Sequence, residues 1–146
     1  MNLSGSGKKG FAFLRTGIIL CCLVLMVNIA LAAETEPQKL VYLPAYRLAG
    51  MILSGEVTSV QALEAYLDQI SRYNEKINAV VTLDIEGAML RARQADEALA
   101  RGEVWGPLHG VPVTIKDNYA TKGLLTTVGY PGLAEYVPDF DATVVA

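Results

Sequence analysis

At 146 residues the chain has room for one domain at most, and its charge of −3 comes without a basic stripe of the kind that grips a phosphate backbone. A single histidine is too few for a zinc site. Both cysteines, Cys21 and Cys22, lie in the apolar opening, so the remainder offers neither a disulfide nor a thiolate nucleophile.

Lys8, Lys9 and Arg15 precede an uncharged run over residues 17–27, and Ala30-Leu31-Ala32 follows with small residues at peptidase-reading positions. This pattern predicts a signal peptide over residues 1–32, cleaved after Ala32, and export to the periplasm or beyond the cell. The alternative is a membrane anchor over residues 16–33, a span near the lower limit for crossing a bilayer. Leu20 and Cys21 precede the two cysteines, and neither is the small residue that a lipoprotein cleavage site needs. Removing the three basic leader residues from the twelve leaves nine against fifteen acidic ones, a charge of −6 on 114 residues.

Residues 33–42 read as a polar linker, and 43–146 as the folded part. A first helix is predicted over residues 44–53, started by Pro44 and stopped by Ser54-Gly55. Its expected buried stripe is Tyr46 or Arg47 with Gly50, Met51 and Leu53. Thr58 with Gln61 fits a capping box for the next helix. Val60, Leu63, Leu67 and Ile70 supply its apolar face, and Asp68 can pair with Arg72 on the other. Residues 77–83 are rich in β-branched types and read as a strand. Asp84 then caps a helix running to Ala100, with Ala88, Ala92, Ala95 and Leu99 as a narrow face and Arg93–Glu97 as an outer pair. Gly102 stops it.

Gly106-Pro107 and Gly110 punctuate the approach to an alternating run in which Val111, Val113 and Ile115 are separated by Pro112 and Thr114. A strand over residues 111–115 would carry Lys116 to the rim of a sheet, where open α/β sheets place their ligands. The segment between the two expected strands is long enough for a parallel crossover. The order of elements predicts an α/β fold. Breakers follow Asn118, and Asp141 is placed to cap a helix starting at Ala142.

Residues 104–118, with Thr126, Thr127 and residues 138–146, resemble the amino-terminal part of an amidase-signature enzyme, and the likeness covers about residues 43–146. The resemblance implies a mixed sheet flanked by helices, of which this chain holds a truncated opening portion. It also implies hydrolysis of the carbon–nitrogen bond of linear carboxamides by a Ser-cisSer-Lys triad, with no metal or organic cofactor. The substrate would be a small-molecule or peptide amide. In the family the lysine of the Ile-Lys-Asp segment is the base, and Lys116 matches it. A lysine acts so only with a neutral amine, which burial or neighbouring cations must bring down from about 10.4.

The family's nucleophilic and bridging serines lie downstream of that lysine, whereas no serine follows Ser71 here. The chain alone is therefore expected to be inactive. The second reading is a non-catalytic relic, or a small structural or partner protein that keeps the amidase amino-terminal segment. Asp117, Asn118, Tyr119, Thr126 and Thr127 are expected to border the substrate cleft or shape its loop, and His109 and Gly110 to hold the turn ahead of it. Some members of the family act on charged tRNA, but the acidic chain and its leader predict no nucleic-acid partner, with membrane anchoring only if the leader stays.

Overall fold

The computed structural model describes residues 40–146. The expected signal peptide and its anchor alternative lie outside these residues, as does the expected linker up to residue 39. No helix among the described residues is long and apolar enough to cross a membrane. Among the described residues three helices, α1 (Ala45–Leu53), α2 (Ser59–Ile77) and α3 (Ile85–Ala100), precede an irregular tract that contains one 3-10 turn, Pro131–Leu133.

Pro44 stands just outside α1, where its missing N–H has no helical partner to lose, and Gly55 at φ 76° follows the last turn. The helix buries Leu48, Ala49 and Ile52 rather than the expected stripe, and Tyr46 and Leu53 are exposed. Leu48 and Ile52 lie four apart and enter a cluster with Leu40, Val57, Ala62 and Ala65, which fixes the rotation of α1. Leu40, read from sequence as linker, is thus a core residue.

The capping box of α2 is complete: Thr58 N donates to Gln61 Oε1 at 2.9 Å, and Gln61 N donates to Thr58 Oγ1 at 3.0 Å. The next two free amides, those of Ser59 and Val60, donate to the carboxylate of Asp96 on α3. α2 packs on α3, and the residues the two helices bury are mostly small: Ser59, Ala62 and Ala65 from α2, and Ala92, Ala95 and Ala98 from α3. Of the face expected on α2, only Leu63 is fully buried; Val60, Leu67 and Ile70 are half-buried. Asp68 and Arg72 pair at 2.7 Å on the wet side, where such a pair contributes little. Arg93 and Glu97 do not form the expected ion pair among the described residues.

Neither expected strand forms. α2 runs on through Ile77 and ends at Asn78 in the left-handed region, φ 47°. The side chain of Asn74 then takes both backbone groups of Val80, accepting from its N–H at 2.9 Å and donating to its carbonyl at 2.8 Å. A ladder would need those same two groups. Residues 111–115 are irregular as well. Val111 reaches the core cluster, but Val113 is 70% and Ile115 43% exposed, and no described backbone pairs with residues 113–115. Period-two alternation makes a strand only when a partner supplies hydrogen bonds. The mixed sheet and its crossover are therefore not formed among the described residues.

α3 starts as expected, with Asp84 Oδ1 accepting the amide of Gly87 at 2.9 Å, and Gly102 at φ 79° follows its end. Asp141 does not cap a helix. Its Oδ1 accepts the amide of Lys122 at 2.7 Å, one of several ties that hold the last tract to itself. The others are Gly123 N to the Pro138 carbonyl at 2.9 Å and Ala142 N to the Ala120 carbonyl at 2.8 Å.

Candidate functional site

The residues singled out by sequence fall into two clusters. The first is the turn that carries His109 and Gly110 onto α3. His109 is 3% exposed, its Nδ1 accepts from Trp105 N at 3.1 Å, and its Nε2 lies 3.0 Å from the carbonyl of Ala95. A carbonyl only accepts, so the proton sits on Nε2 and the ring is the neutral Nε2–H tautomer. His109 thereby bolts the turn to the middle of α3, a structural task.

Gly110 has φ 71°, and a β-carbon there would collide with Oγ of Ser59. Glycine is required twice over, by the backbone and by the neighbour. The Ser59 hydroxyl is wholly buried and has no hydrogen-bond partner among the described residues. Trp105 leans on the His109 ring, centroids 5.1 Å apart, while the guanidinium carbon of Arg91 lies 4.0 Å from the Trp105 centroid. This stack borders an open groove of about 790 Å³, lined also by Leu63, Ala95 and Gly110.

The second cluster is a turn over residues 116–119, closed by Tyr119 N donating to the Lys116 carbonyl at 3.0 Å. Lys116, Asn118 and Tyr119 are exposed and Asp117 is half-buried. Asp117 Oδ1 accepts the Thr127 amide at 2.9 Å and Oδ2 the Thr127 hydroxyl at 2.7 Å. Its carbonyl accepts from Val128 N at 3.1 Å. Val128 and Gly129, at φ 57° and 68°, form the centre of a tight turn closed by Tyr130 N on the Thr127 carbonyl at 2.9 Å. Positive φ is costly for a β-branched valine, so the surrounding bonds over-determine this turn. The Thr127 hydroxyl, followed by its amide, holds the Asp117 carboxyl below the ordinary carboxylate range. Thr126 is buried beside it, its amide donating to the Tyr136 carbonyl at 3.0 Å.

The structure thus joins Asp117 to Thr127 and places Lys116, Asn118 and Tyr119 on one turn. Lys116 makes no ion pair among the described residues and does not line the groove beside His109. Sequence reasoning missed Asp96, Ser59 and the Arg91–Trp105 stack. For Asp96 one signal was available: a carboxylate adjoining the small-residue face of α3.

A model of the Amidase family matches residues 61–146, more than half of the chain. The chain belongs to the amidase family. The glutamyl-tRNA(Gln) amidotransferase A-subunit of Streptomyces coelicolor is 46% identical over 105 residues, covering 72% of this chain and 21% of that protein. The proteins of the same name from Streptomyces avermitilis and Salinispora tropica are each 44% identical, over 105 and 101 residues, covering 72% and 69% of this chain and 21% of each relative. The chain spans about a fifth of the length of these relatives.

Proposed function

We propose that these residues are the lysine-bearing part of an amidase that cleaves the carbon–nitrogen bond of linear carboxamides. Lys116 is the proton acceptor of a Ser-cisSer-Lys triad, and the two serines come from polypeptide outside the 146 residues. The mixed sheet expected from sequence belongs to the same assembled domain, in which residues 111–115 would find a pairing partner. The observation that carries this reading is the position of Lys116. It stands exposed on a braced turn, within the region matched to the family.

In this reading the lysine amine takes the proton of the bridging serine, which takes that of the nucleophile as it attacks the amide carbonyl. Without the serines the chain has a base and nothing for it to deprotonate. The 146-residue chain alone is expected to leave carboxamides intact. To test the role of Lys116, residues 43–146 would replace the matching segment of the Streptomyces coelicolor relative. Lys116→Ala in that chimera should lower amide hydrolysis about 10²- to 10⁴-fold, the usual worth of a positioned base. A chimera that keeps its rate with alanine at 116 would end the reading.

Localisation divides two versions of this function. The charged, apolar and small-residue pattern of the leader supports an exported amidase acting on small or peptide amides. The name shared by the relatives supports the other: the amide-cleaving component of a tRNA-dependent amidotransferase, with tRNA and partner proteins nearby. This second version runs against the expectation of no nucleic-acid partner. Cell fractionation separates them. Recovery outside the cytoplasm with the leader removed favours export, and co-purification with tRNA favours the other.

A further inference from the structure

We propose that Thr127 is a positioning residue that holds the Asp117 carboxylate away from the Lys116 amine. The proposal rests on the reading of Lys116 as a proton acceptor and assigns a role to a residue eleven positions further on. Adjacent residues of opposite charge pose a chemical problem for a base. A carboxylate free beside a lysine attracts the ammonium form, and an ammonium has no lone pair with which to accept a proton. The structure contains an answer to that problem.

Both oxygens of Asp117 are engaged by a single residue, at 2.9 Å by the Thr127 amide and at 2.7 Å by its hydroxyl. The backbone is tied in the same place, with Val128 N on the Asp117 carbonyl at 3.1 Å. The Thr127 hydroxyl in turn accepts from Gly129 N at 3.2 Å, so its orientation is fixed from both sides. Val128 keeps its left-handed φ of 57° within this frame. The groups that act on the Asp117 carboxyl are the Thr127 hydroxyl and amide, opposed by desolvation and helped by the Val128 and Gly129 amides. Lys116 is the cation adjoining it in the chain, and the two form no ion pair among the described residues. The carboxylate is spent on Thr127.

The experiment is competitive acetylation of lysine amines in the 146-residue chain with acetic anhydride, read by mass spectrometry with Lys76 on α2 as internal reference. Thr127→Val removes the hydroxyl and frees one carboxylate oxygen for Lys116. Labelling of Lys116 should slow about two- to fivefold, the range that an exposed ion pair supports. Thr127→Ser keeps the hydroxyl and should label like the parent chain. Asp117→Asn added to Thr127→Val should restore the parent rate, since no carboxylate remains to pair. Thr127→Ala carries the same expectation as valine if valine disturbs the fold, and amide exchange in α2 and α3 reports on that. An unchanged rate in the valine and alanine variants overturns the proposal. So does a slow rate that persists in the double variant, which would mark loop distortion instead of ion pairing. These outcomes do not depend on catalysis. They stand apart from the Lys116→Ala chimera, whose failure would remove the proton-acceptor reading and leave the labelling result intact.

Discussion

Asp96 of α3 closes the amino-terminal end of α2, its Oδ1 accepting the Ser59 amide at 2.6 Å and its Oδ2 the Val60 amide at 3.2 Å. With the capping box between Thr58 and Gln61, all four amides that a helix start leaves free are satisfied. A negative charge at that end also meets the helix dipole favourably. Asp96→Ala is expected to lower stability by about 2–3 kcal/mol, more than a simple capping loss, because two amides lose a charged acceptor. Asp96→Asn keeps one acceptor and should lose roughly half as much. Urea unfolding of the two variants beside the parent chain measures both.

Ser59 of α2 and Gly110 of the turn that follows α3 approach so closely that no β-carbon fits between them. Gly110→Ala would force a β-carbon into Ser59 Oγ at a backbone φ of 71°. Strain and overpacking together should lower stability by about 2–4 kcal/mol. Ser59→Ala removes a buried hydroxyl that has no partner among the described residues, so it should be neutral or raise stability by up to about 1 kcal/mol. Thermal melts of the two single variants and the double variant would show whether the joint relaxes when serine and glycine change together.

Most helix ends were readable because capping is local, the exception being the end of α2 at Asn78 inside the expected first strand. Thr58 with Gln61, Asp84 ahead of its helix, and Gly55 and Gly102 past theirs all act within a few residues of the chain. Buried faces were less readable. Periodicity on α1 and α2 allowed several faces, and the choice fell to partners on other elements, as where Leu48 and Ile52 of α1 cluster with Ala62 and Ala65 of α2. The strands were misread for a related reason. Residues 111–115 alternate well, yet a strand needs a second segment, and Asn74 takes the backbone groups of Val80 in the other expected strand. At the candidate site, alternation placed Lys116 at an expected strand end, and only the family likeness gave it a catalytic role. The bond of Asp117 to Thr127 spans ten residues and has no periodic signature.

His109 holds its turn to α3 through Nε2 on the Ala95 carbonyl and accepts the Trp105 amide at Nδ1, a pair of bonds that requires the Nε2–H tautomer. Nitrogen chemical shifts should therefore show Nδ1 unprotonated and Nε2 protonated in the folded chain. His109→Phe fills similar space but leaves the Trp105 amide without its acceptor. A loss of about 1–3 kcal/mol is expected. Trp105 fluorescence should change with it, since the indole lies against this ring at a tilt of 57°. Unaltered emission in the phenylalanine variant would mean the placement of the indole does not depend on the imidazole.

Asp117 gives the tract after α3 a pH dependence whose sign follows from its bonds. The Thr127 hydroxyl and amide favour the ionised carboxylate, so its folded value lies below the ordinary 3.8. A group lowered on folding adds stability above its unfolded value and loses that contribution as pH falls through the folded one. The ties to Thr127 should therefore be fully made at neutral pH and weaken only on acidification below about 3.8, the unfolded value. A carbon-detected titration of the Asp117 carboxyl should give a midpoint under that value, and the Thr127 amide shift should follow the same curve. In Thr127→Val the strongest bond is gone, and the midpoint should move back toward the ordinary range. If the midpoint stayed low in that variant, the amides of residues 127–129 would be holding the carboxylate ionised without the hydroxyl.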